Sequence, residues 1–233
     1  MKILLVLPAS GKWKGIARHS AFNGKVFRFS MLSLLTLASL TPDEDEITLV
    51  DEQIDDIPFE GSFDLVGITV MTAAAPRSYE IAAEFREKGV PVILGGFHPT
   101  LNPEEALMHA DSIVSGCAYD AWEKLLTDVK RNSLEKIYYG NPLAHIPSAL
   151  PRHIVQKGKY VTVNATFATL GCRNTCQFCS VNKFYKQKRY QRNIQEIIDE
   201  LKTFKERFFI FVDDNLTQDR EYALDLLRQL VSL

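Results

Sequence analysis

The sequence predicts an α/β protein: a doubly wound parallel sheet, then the opening βαβα stretch of a β/α partial barrel. Three observations carry that prediction. Short continuous apolar runs, such as those at 2–7 and 91–94, recur between segments of helical periodicity. Strands buried on both faces read this way. Strand-like and helix-like segments alternate up to residue 132, the pattern of a parallel sheet covered on both faces. After a stretch rich in proline and glycine, the alternation starts again at Val161.

Taken in order, residues 2–7 form a buried strand ended by Pro8. A loop carrying glycine and basic residues fills 9–28. Residues 29–40 are apolar on nearly every side and long enough for a helix, which Pro42 stops. Residues 46–50 are a second strand and 63–70 a third, with Met71, Thr72 and three alanines forming the loop at its end. Residues 76–88 are helical, with Pro76 in the first turn and Gly89 closing the last. A fourth strand, 91–94, runs into Gly95 and Gly96. A short helix at 103–109, a fifth strand at 112–114 and a helix at 118–130 complete the pattern. The right-handed crossover rule leaves few topologies, and a flavodoxin-like order 2-1-3-4-5 fits best. Ligands of such sheets bind beyond the carboxyl ends of the strands. The loops there are 8–28, 71–75, 95–100 and 116–119.

The organisation is therefore a first domain at 1–132, a linker at 133–160 and a second unit at 161–233. The linker holds Gly140, Pro142, Pro147, Pro151 and Gly158 with little periodicity. In the second unit, 161–170 is extended and leads into a cysteine loop. Residues 193–204 form an amphipathic helix with Ile194, Ile197, Ile198, Leu201 and Phe204 on one face. Residues 208–212 are a strand ending in Asp213, Asp214 and Asn215, and 220–230 are a further helix.

Bulk composition excludes several classes. The 233 residues are 46% hydrophobic and 24% charged, ordinary for a globular protein, with a net charge of −2. That balance gives no nucleic-acid footprint and no polybasic anchor. No apolar run reaches the roughly 18 residues of a transmembrane segment. The apolar run at the start is too short for a signal peptide and lacks a cleavage site, so a cytoplasmic location is expected.

Three of the four cysteines lie in the stretch LGCRNTCQFCS, as Cys172, Cys176 and Cys179. Four cysteines so clustered do not make a disulfide framework. Packing of buried thiols does not require this array. Structural zinc takes four ligands, mostly in paired units, and no second pair or nearby histidine follows Cys179. Three thiolates suit a [4Fe–4S] cluster with one iron left without a cysteine. The cysteines also begin where a strand ends, on the face where barrel enzymes keep their chemistry.

This CxxxCxxC, with Phe178 just before the third cysteine, resembles the signature of the radical SAM superfamily. The resemblance implies that Cys172, Cys176 and Cys179 hold a [4Fe–4S] cluster whose open iron is chelated by S-adenosyl-L-methionine. It implies reductive cleavage of that cofactor to a 5′-deoxyadenosyl radical, with electrons from a low-potential donor such as flavodoxin or ferredoxin. Asp213, Asp214 and Asn215 occupy the place of the family motif that contacts the methionine amino group, and Phe178 is a further candidate contact. Read as residues alone, the same trio is equally a polar strand end or a helix N-cap region.

A flavodoxin-like domain ahead of such a core resembles the cobalamin-binding domain of B12-dependent radical SAM enzymes. The stretch Gly95-Gly96-Phe97-His98-Pro99-Thr100 and the Gly116 turn carry the likeness. By this resemblance Thr72, Gly95, Gly96 and Gly116 are the candidate cobalamin contacts. As residues, the glycines are equally tight strand-to-helix turns. The family's cobalt-ligating Asp-x-His-x-x-Gly has no counterpart, since His19 lies in a different context. His98 reads as loop packing and Cys117 as a small buried apolar residue. The implied activity is methyl transfer or related radical chemistry on a small-molecule or lipid-like substrate. The alternatives are a radical SAM enzyme whose first domain does not bind cobalamin, and a non-catalytic iron–sulfur or zinc module. A full β/α barrel needs roughly 200 residues or more, so 161–233 is expected to be an incomplete core, truncated at the C-terminal side.

Overall fold

The computed structural model describes residues 1–10, 32–141, 150–155, 160, 162–205 and 208–233. The chain divides into two compact units, Met1–Val161 and Thr162–Leu233. Among the described residues no helix is long and apolar enough to cross a membrane.

The first unit is a six-stranded parallel sheet. Its strands are β1 (Lys2–Leu7), β2 (Glu46–Asp51), β3 (Leu65–Thr69), β4 (Val92–Gly95), β5 (Ser112–Gly116) and β6 (Ile137–Gly140). Their order is β2-β1-β3-β4-β5-β6, so the expected 2-1-3-4-5 arrangement is present and extended by one strand. β1 shows why both faces are covered. Ile3, Leu5 and Leu7 enter one core, Leu4 and Val6 the other, as the two-residue pleat requires. On one face, α1 (Leu32–Leu40) and α5 (Ala121–Lys130) supply Leu34, Trp122 and Leu125. On the other, α2 (Ala75–Glu87) and α4 (Pro103–His109) supply Ile81, Phe85 and Ala106. Pro76 and Pro103 sit in the first turns of α2 and α4, where a missing N–H breaks no helical bond. The buried Trp122 stays satisfied by donating its indole N–H to Thr41 Oγ1 at 2.9 Å.

Three features of this unit differ from the sequence expectation. β6 lies inside the stretch read as linker. It is a four-residue edge strand in which Tyr138 is buried and Tyr139 exposed, too short for its alternation to stand out. Residues 72–74 form a 3₁₀ turn rather than open loop. A short helix, α3 (Phe97–Leu101), also occupies the predicted loop after β4. Pro99 does not prevent it, because it falls in the first turn, where backbone N–H groups have no helical partner. The predicted loop 9–28, with His19, lies almost wholly outside the described residues.

In the second unit β7 (Ala165–Thr166) pairs in parallel with β10 (Ile210–Phe211), and β8 (Thr169–Gly171) pairs antiparallel with β9 (Arg189–Gln191). α6 (Ser180–Phe184) follows the cysteines, α7 (Ile194–Lys202) connects β9 to β10, and α8 (Arg220–Val231) ends the unit. Asn193 caps α7 by accepting from Gln195 N at 2.8 Å, and Asp219 caps α8 by accepting from Tyr222 N at 3.1 Å. Ile197 and Leu201 of α7 pack with Leu226 of α8 and Ala168. The predicted strand 208–212 is shorter than expected. The polar Arg189–Gln191 strand carries no apolar alternation that would have revealed it.

Candidate functional site

The cysteine loop springs from the carboxyl end of β8. Parallel pairing of β10 with β7 brings the segment after β10 beside the root of that loop. Residues 213–218 then grip the loop in sequence order. Asp213 Oδ1 accepts from Thr169 N and Thr169 Oγ1, both at 2.6 Å, and Oδ2 accepts from Ala168 N at 3.1 Å. Asp214 Oδ2 accepts from Gly171 N at 2.7 Å. Asn215 Nδ2 donates to Cys172 Sγ at 3.6 Å. Gln218 Nε2 donates to the same sulfur at 3.6 Å and to Asn174 Oδ1 at 3.0 Å, while its Oε1 accepts from Arg173 N at 3.0 Å.

Burial pushes the Asp213 carboxyl above the ordinary carboxylate value, against the lowering effect of its three donors and of Arg189. Asp214 is exposed as a residue, yet desolvation of its carboxyl still raises it. The Gly171 N–H acts the other way and the Asp213 charge reinforces the rise. Tyr222 donates its hydroxyl to Ala168 O at 3.1 Å and Arg192 O at 2.9 Å, and burial lifts its pKa to about 12.

Cys172 and Cys179 are half-buried and Cys176 is exposed. Cys176 O accepts from Cys179 N at 3.1 Å and from Asn182 Nδ2 at 2.9 Å, which ties the last two cysteines to the start of α6. Phe178 is 92% exposed. Among the described residues no three His, Cys, Asp or Glu side chains converge on one metal-ion position. A cubane cluster spreads its cysteine ligands more widely than a single ion. A loop of three thiols, anchored at its root and already receiving N–H donors on one sulfur, fits that donor set.

The first unit places its predicted residues at the carboxyl ends of β3, β4 and β5. Thr72 is exposed, with Oγ1 3.4 Å from His98 Nδ1. His98 is buried, and its Nε2 meets Tyr79 Oη at 2.8 Å. Gly95 ends β4 with room for a side chain, since a Cβ there would make ordinary contact with Val114. Gly96 has φ of 99°, and a Cβ on it would lie 3.1 Å from Val70 O and 3.3 Å from Thr69 Oγ1. Thr100 joins two of these glycines, donating to Gly96 O at 2.7 Å and accepting from Gly116 N at 2.9 Å. Gly116 has φ of 90°, and a Cβ on it would lie 2.6 Å from Gly140 O. Its lack of a side chain is thus used by the β5–β6 approach. Sequence reasoning placed Thr100 in the stretch 95–100 without giving it a role, and it missed Gly140 and Gln218. Gln218 had no motif to mark it, and Gly140 fell in the presumed linker.

Residues 40–126 match the B12 binding domain family. That stretch contains Thr72, Gly95, Gly96 and Gly116. The protein is 37% identical over 221 residues to the bacteriochlorophyllide d C-8(2)-methyltransferase of Chlorobaculum tepidum, covering 85% of its own length and 49% of that relative. It is 30% identical to the bacteriochlorophyllide d C-12(1)-methyltransferase of the same organism, covering 87% and 47%. It is 28% identical to the hopanoid C-2 methylase of Rhodopseudomonas palustris, covering 99% and 46%. The sequence thus spans about half the length of each of these relatives.

Proposed function

We infer, for a protein that belongs with the radical SAM enzymes built behind a B12-binding domain, a part in methyl transfer to carbon on a bulky polycyclic substrate. The substrate class is taken from the relatives, named for bacteriochlorophyllide and hopanoid carbons. The observation that carries the reading is the anchored loop of Cys172, Cys176 and Cys179 behind a B12-binding match. When bound, a [4Fe–4S] cluster supplies the electron that cleaves S-adenosyl-L-methionine to a 5′-deoxyadenosyl radical. Cobalamin, when bound, supplies the methyl group.

The protein's own residues take the remaining roles. The three thiolates hold the cluster, and β8 and residues 213–218 fix where it sits. Both oxygens of Asp213 are committed to the strand, whereas Asp214 lies exposed and is the carboxylate available to the methionine ammonium. Phe178 offers an open aromatic face for the same cofactor. Thr72, Gly95, Gly96 and Gly116 line the end of the sheet where a corrin would lie. A low-potential flavodoxin or ferredoxin supplies the electron from outside.

Anaerobic reconstitution of the whole protein with iron and sulfide tests the first half. An EPR signal of a reduced [4Fe–4S] centre is expected, altered by S-adenosyl-L-methionine and lost in Cys176→Ala. A preparation that binds zinc and stays colourless would refute it. Equilibrium dialysis against hydroxocobalamin tests the second half, with saturable retention expected and none retained counting against the corrin.

A further inference from the structure

The three candidate ligands are not equivalent. Cys172 receives two side-chain amide donors, from Asn215 and Gln218, each at 3.6 Å. The neighbouring interactions of Cys176 and Cys179 instead run through their backbone, at Cys176 O and Cys179 N. An amide N–H aimed at a cysteine sulfur favours the more negative state of the centre that sulfur holds. For a cluster that state is the reduced one, so each donor raises the reduction potential. Gln218 is also built into the loop. Its Oε1 holds Arg173 N at 3.0 Å and its Nε2 reaches Asn174 Oδ1 at 3.0 Å, which fixes the amide plane relative to the sulfur.

We propose that Gln218, together with Asn215, sets the reduction potential of the cluster through Cys172. Both are positioning residues acting through a ligand. The proposal rests on the iron–sulfur reading above and adds to it which sulfur is tuned and by which side chains.

The test is a redox titration of the reconstituted whole protein, followed by EPR in the absence of S-adenosyl-L-methionine. It uses Gln218→Glu, which keeps the acceptor for Arg173 and removes the donor, and Asn215→Ala. Both variants should hold iron and sulfide at the wild-type level and titrate at a more negative potential. Gln218→Glu should shift further because it adds a charge beside the sulfur. Resonance Raman should show one iron–cysteine stretch moving to higher frequency in each. If Gln218→Glu does not load, Asn215→Ala decides, because its side chain reaches the loop at that sulfur. Unchanged potentials in loaded variants overturn this proposal and leave the cluster intact. A wild-type protein that never holds a cluster overturns both.

Discussion

Asp213 shows how a carboxylate just past one strand can hold the backbone of another. It takes two backbone N–H groups and a hydroxyl, so its ionised form is held by hydrogen bonds while burial works against it. Burial wins, and the folded pKa lies above the unfolded one. The native state therefore binds more protons than the unfolded state between those two values, and stability falls as pH rises through that window. Asp213→Asn keeps an acceptor for Thr169 and removes the buried charge, so it should be nearly neutral and should flatten that dependence. Asp213→Ala leaves buried donors unpaired, which costs roughly 1–3 kcal/mol. Amide hydrogen exchange at Ala168 and Thr169 reads both. Faster exchange in the alanine variant alone is expected, and equal exchange in all three proteins would refute the assignment.

Among the elements, α7 and α8 carry the second unit on a small core. Ala168, Ile197, Leu201 and Leu226 are the buried residues of its core cluster. A cavity at Leu226 has few neighbours to redistribute it, so Leu226→Ala should cost roughly 2–5 kcal/mol. Urea unfolding monitored by exchange in residues 162–233 measures this, and a loss under about 1 kcal/mol would show the site collapses freely. What the sequence revealed follows from signal length. β1, α2, α4 and α7 have enough apolar periodicity or proline punctuation to be read within a residue or two of their observed bounds. β6 and β9 are edge or hairpin strands of three or four residues with polar members, and their existence is decided by a partner distant in sequence. At the candidate site the cysteines stood out by spacing. The clamp of 213–218 could not be read, because which atoms Asp213, Asn215 and Gln218 meet depends on β10 lying beside β7.

For the whole molecule, the two units present two separate chemistries: a parallel sheet with its loops at one end, and a cysteine loop rooted on β8. Each should respond to its own ligand by linkage. A ligand that binds only the native state at 100 times its dissociation constant stabilises it by about 2.7 kcal/mol. Hydroxocobalamin at such an excess should slow exchange in β3, β4 and β5, whose carboxyl ends lead to Thr72, Gly95 and Gly116. Iron and sulfide should slow it in β8 and at residues 168–174, where the sulfur ligands and the 213–218 clamp meet. Exchange mass spectrometry of the whole protein, with each addition made alone, separates the two effects. If hydroxocobalamin binds but protects only the second unit, the sheet end is not the corrin site. Gly116 would then be explained by packing alone, as its close approach to Gly140 already allows.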